Sequence, residues 1–153
     1  MITYKIFKDV GVIDKDNNIP TKWKKIFDET LELQNVQNYV KTLINRNIEV
    51  WIVTSRYSDD FLINNLNIDV EFVKLLNSDL YDIANKLGIQ KNRIHFTNLK
   101  YKYNFLENNK FLFHADDDYD EIQKINNNTN VIGIYLFDEF WKTKCESLIK
   151  LFK

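Results

Sequence analysis

The sequence predicts an α/β domain built on a mainly parallel sheet with helices on both faces. Two observations carry this. The run "IEVWIVTS" (48–55) is compact, apolar and β-branched, the pattern of a strand buried on both sides. Short strand-like runs also alternate along the chain with segments of helical spacing, and that order builds parallel sheets. With 153 residues, 44% of them hydrophobic, the chain is long and apolar enough for one domain, residues 1–153, with its own core.

Residues 2–8, "ITYKIFK", read as the first strand and end at the turn-like "DKDNNIP". From about Leu31 to Asn45, Leu33, Val36, Tyr39, Val40, Leu43 and Ile44 recur at helical spacing. After the strand at 48–55, a helix is expected over Asp59–Leu66, then a short strand near "VEFVKLL" (70–76). A helix over 79–89 has Gly88 as its stop. Residues 93–97 read as a strand and "KYKYNFLEN" (100–108) as a helix. Strands at 110–115 and 130–137 flank a helix over 118–126, and a last helix covers 139–152.

Composition narrows the function. A formal net charge of −1 gives no general electrostatic attraction for nucleic acid, although "TKWKK" (21–25) is a local basic patch. Within it Trp23 has two possible roles, stacking on a base or anchoring the helix that follows. A single cysteine, Cys145, excludes an internal disulfide and suits a reducing compartment; its place on an apolar helix face favours packing over nucleophilic chemistry. No apolar stretch approaches the roughly 20 residues needed to span a bilayer, and "MITYKIF" lacks a signal-peptide core. The expectation is a cytoplasmic protein without a membrane partner. The heavy use of Asn, Lys, Ile, Tyr and Phe reflects AT-rich coding, as in an AT-rich microbe or virus.

Ligands of parallel sheets bind beyond the carboxyl ends of the strands. Those ends carry Lys8–Asp9, Thr54–Ser55, Thr97 and the run "HADDDYDE", where four acids fall within residues 116–120. Like charges this close need water, a cation or basic side chains to absorb their repulsion. Part of the run also fits a helix N-terminus, which favours acids. The two histidines, His95 and His114, lie inside strands, where a hydrogen-bonded core role is expected; His114 is also placed to tune the adjacent acids.

In this order, "WIVTSR", "IHFTNLKYKYNFL" and "FLFHADDD" resemble motifs two, three and four of the haloacid-dehalogenase-like (HAD) phosphohydrolases. The resemblance covers about residues 2–137 and implies a Rossmann-like sheet with little or no cap domain. It also implies Mg²⁺-dependent phosphoryl chemistry, in which a hydroxyl, a lysine and a metal converge on the phosphoryl group. Thr54 would hold phosphoryl oxygens, with Ser55 in reserve; Lys102 or Lys100 would be the lysine. Asp116 and Asp117 would be the metal ligands, which suits an ion that takes oxygen ligands and keeps several waters.

The first motif departs from the family's pattern of strand, Asp, any residue, Asp, Gly. Here the text is "IFKDVGVIDKDNNIP". Aligned on Gly11, the nucleophile position holds Lys8; shifted by one residue it holds Asp9, and the acid position falls on Gly11. In the first register a Lys8 ammonium takes the place of Mg²⁺ and pairs with Asp116 or Asp117, giving a degenerate, non-catalytic or weakly active module. In the second, Asp9 is the nucleophile of a Mg²⁺-dependent phosphomonoesterase. With so little chain available for a cap, the open site suits a phosphorylated small molecule, a nucleic-acid end or a protein partner.

Overall fold

The computed structural model describes residues 34–152. The strand expected at 2–8, the patch at 21–25, and Lys8 and Asp9 lie outside the described residues. Within them the chain is mixed α/β, with seven helices and four short strands arranged as two parallel pairs.

The first helix, α1, covers 34–45. Its buried residues Val36, Val40 and Leu43 recur at helical spacing on one face. Asn47 ends it in the left-handed conformation (φ 60°). The N–H groups of Asn47 and Ile48 then turn back to the carbonyls of Ile44 (3.0 Å) and Leu43 (3.1 Å), satisfying two of the helix's last acceptors. Because Ile48 still belongs to this cap, the strand expected over 48–55 is ordered as β1 only at Ile52–Thr54.

Next come α2 (Asp59–Asn64), α3 (Val70–Leu76) and α4 (Ser78–Leu87). The short strand expected near 70–76 is instead the helix α3. Asp69 accepts the Glu71 N–H (3.0 Å) and so caps it, and Glu71 pairs with Lys74 one turn on (3.2 Å). Gly88 stops α4 as expected, in the left-handed region at φ 82°, which glycine adopts without strain. A short 3₁₀ turn, Lys91–Arg93, leads into β2 (Ile94–Phe96). Then follow α5 (Tyr103–Asn108), β3 (Phe113–Asp116), α6 (Tyr119–Asn128), β4 (Ile132–Tyr135) and α7 (Trp141–Leu151).

β1 pairs in parallel with β2, Thr54 opposite Phe96, and β3 with β4, Asp116 opposite Tyr135. Side chains alternate along a strand, so Ile52 and Val53 serve opposite faces of β1. Ile52 packs in a core with Val36 and Val40 of α1 and Leu80 and Ala84 of α4. Val53 packs in a second core with Leu106 of α5 and Ile125 of α6. Helices thus cover both faces of this strand.

Candidate functional site

The polar groups of interest sit where the strands end. Beyond β1 and β2 the two loops are stitched together. Thr97 N–H donates to the Thr54 carbonyl (2.9 Å), Leu99 N–H to the Ser55 carbonyl (2.8 Å) and Asn98 N–H to the Arg56 carbonyl (3.2 Å). In return the Asn98 side chain accepts the Ser58 N–H (2.8 Å). Making these bonds holds two consecutive non-glycine residues, Asn98 and Leu99, at φ 54° and 67°, a costly conformation for a bulky leucine. The loop then delivers Lys102 to the N-cap position of α5.

Lys102 is buried, and its Nζ donates to Asp116 Oδ2 at 2.5 Å. Asp116, the last residue of β3, is equally buried. The same Oδ2 meets His114 Nε2 at 2.8 Å, and Oδ1 accepts the Asp118 N–H at 3.1 Å. Asp118 in turn caps α6 by accepting the Asp120 N–H (3.0 Å), and Glu121 Oε2 accepts the Lys102 backbone N–H (3.2 Å). The cluster therefore joins the β2–α5 loop to the β3–α6 loop through one carboxylate.

Its electrostatics follow from burial and charge. Burial alone would lower the Lys102 ammonium; the Asp116 carboxylate overrides it and holds the lysine above its ordinary value. Burial alone would raise Asp116, yet the positive charge facing it, Lys102 included, keeps it well below the usual carboxylate range. His114 is pushed down to about 4, first by burial and then by the Lys102 charge, against the upward pull of Asp116. At neutral pH it is an uncharged imidazole. An ionised carboxylate can only accept, so Nε2 carries the proton and donates. Glu121 is raised, chiefly by burial.

The structure brings Lys102 and Asp116 into direct contact, with His114 on the same oxygen. Asp117 is buried beside them. Lys100 is exposed, and its carbonyl accepts the Thr97 hydroxyl (2.6 Å). Thr54 is buried at the end of the other strand pair, where its hydroxyl accepts the Arg56 N–H (3.3 Å) and caps the next segment. Ser55 is half-buried beside it. Sequence reasoning missed Glu121, although it shares a helical face with the buried Ile122 and Ile125. His95 stacks on Phe105 (centroids 3.6 Å apart), and burial lowers its pKa.

Arg56 anchors the rim by a bidentate pair with Asp79 at the start of α4, both distances 2.7 Å. Burial works to raise Asp79, and the guanidinium wins and holds it below its usual value. Asp79 is about a third exposed, so solvent screens the pair. Asp79→Ala is expected to cost about 1 kcal/mol in chemical denaturation. A loss above about 3 kcal/mol would show that the pair holds much more than the rim.

The donor set can be tested against Mg²⁺. Both Asp116 oxygens already accept N–H groups, one of them from an ammonium, so the carboxylate is surrounded by donors rather than by fellow ligands. Among the described residues no group of three or more His, Cys, Asp or Glu is arranged to hold a metal ion. In this arrangement the described residues do not fit Mg²⁺. None of the described helices is long and apolar enough to cross a membrane.

In comparisons with known proteins, no family model, no curated protein and no solved structure matches the chain.

Proposed function

We propose that the chain is a HAD-like module, Rossmann-like and nearly without a cap, with a degenerate first motif. In this reading its acidic strand end is neutralised from within, so that it binds a partner or phosphorylated ligand rather than turning one over efficiently. The observation that carries this is the buried Lys102–Asp116 ion pair. An ammonium on the carboxylate supplies the positive charge that a metal would otherwise bring. The oxygen that a divalent cation would need, Asp116 Oδ2, is already met by the Lys102 ammonium and by His114. The neutralising role that the first register gives to Lys8 is filled by Lys102 among the described residues.

A second reading keeps the chain an enzyme, a Mg²⁺-dependent phosphomonoesterase with Asp9 as nucleophile. What favours it is that the lysine and acid which the resemblance assigns to one phosphoryl site, Lys102 and Asp116, do meet. Nothing among the described residues supplies its metal site, so the first reading is preferred.

A thermal-unfolding titration with Mg²⁺, alone and with inorganic phosphate, separates the two. The neutralised module should shift by less than about 1 °C at millimolar Mg²⁺. A gain of several degrees, with phosphatase activity that Asp9→Asn abolishes, would establish the enzyme instead.

A further inference from the structure

Five large apolar side chains that stay exposed, Leu66, Val70, Phe72, Leu75 and Leu76, fall in the short stretch from the end of α2 through α3. Of the residues of α3 only Val73 is buried. Its most exposed apolar side chains, Leu75 (69%) and Phe72 (55%), are three residues apart, so they are neighbours on the face turned away from Val73. Glu71 and Lys74, both well exposed, flank that pair and meet each other at 3.2 Å. The helix is held at both ends. Asp69 caps its start, and at its end the Asn77 side-chain amide donates to the Tyr57 carbonyl (3.1 Å) and to Asp59 Oδ1 of α2 (2.8 Å). A face fixed in this way loses little conformational freedom when it binds.

We propose that this face pairs with the same face of a second copy of the chain, the two α3 helices lying antiparallel about a two-fold axis. Charge singles out this occupant. Under a two-fold axis residue i meets j while j meets i, and two helices so related run antiparallel with the same flank facing the same flank. Glu71 and Lys74 lie on one flank of Leu75, within one turn of each other. Each Glu71 then faces Lys74 of the other copy, and each Leu75 packs against Phe72 of the other copy. One acid and one base at this spacing make the face its own charge complement, and the two exposed pairs join into one alternating network of four charges.

Area sets the strength. Apolar surface of a few hundred Å² is the size at which a patch marks an interaction site. Two such patches face to face bury roughly 1,000 Å² in total, the lower limit for a specific interface. The dimer is therefore weak and reversible, half dissociated at a concentration on the order of 100 µM. It shares no residue with the Lys102–Asp116 cluster and goes beyond the functional reading above, so each can fail alone.

The test is sedimentation equilibrium of the full chain from about 1 µM to 1 mM, a span that brackets such an affinity. Wild type should pass from monomer to dimer across it. Leu75→Asp, at an exposed position, should keep the melting temperature and weaken the dimer at least tenfold. Glu71→Lys and Lys74→Glu should each weaken self-association about tenfold, because like charges then face each other twice. An equimolar mixture of those two variants should associate as wild type does, since four lysines and four glutamates again alternate in pairs across the axis; this arm stands even if Leu75→Asp disturbs folding. A chain that stays monomeric to 1 mM, whatever else covers the face, overturns the proposal. So does a dimer indifferent to Leu75→Asp, or a mixture that associates no better than either variant alone.

Discussion

Lys102→Ala is expected to lower the free energy of unfolding by about 3–5 kcal/mol in urea denaturation, the scale of cost for deleting one member of a buried ion pair. Asp116 would retain His114 and the Asp118 N–H as donors, but it would lose a contacting ammonium in a site with almost no solvent. Two further outcomes make the result diagnostic. Millimolar Mg²⁺ should restore part of the loss in Lys102→Ala, because a cation that binds only the folded state stabilises it by mass action, and wild type should barely respond. The double variant Lys102→Met, Asp116→Leu should lose less than Lys102→Ala, since it removes both members of the pair together. If Lys102→Ala is nearly silent while wild type gains several degrees with Mg²⁺, the ammonium is not the counter-charge and the phosphomonoesterase becomes the better reading.

Much of this arrangement was readable from the sequence, and the failures have physical causes. The strand ending at Asp116 is announced by "FLFHA", and the run of acids after it called for water, a cation or basic side chains to absorb the charge. The helix lysine at position 102 is marked by Phe105 and Leu106 at helical spacing behind it. What the sequence does not display is distance across the fold. Three lysines, 8, 100 and 102, were candidates near the acids, and only the β2–α5 loop, strained at Asn98 and Leu99, shows how Lys102 reaches Asp116. The misread segment at 70–76 teaches a different lesson. "VEFVKLL" has the composition of a strand, but Asp69 capped it as a helix while Phe72 and Leu75 stayed exposed. A local cap decided where side-chain propensity could not.

Stability should also fall with acid through His114, in a window set by its own titration. Folded, the imidazole titrates at about 4; unfolded, it returns to its ordinary value of 6.5. Between these values the unfolded chain binds a proton that the folded chain refuses. The stability present above pH 6.5 is therefore lost as pH drops toward 4. At about 1.4 kcal/mol per unit the loss is roughly 3 kcal/mol. Asp116, held low, loses its contribution mainly below the ordinary carboxylate value, while Glu121, raised by burial, takes up its proton earlier in the folded chain and offsets part of the loss in the lower half of the window. His114→Gln keeps a side-chain N–H donor and cannot titrate, so it should flatten the slope between pH 6.5 and 4 while leaving the acid limb below it. The check is urea unfolding of both proteins at half-unit pH steps. An unchanged slope in His114→Gln would place the titration elsewhere and remove His114 from the electrostatics of the site.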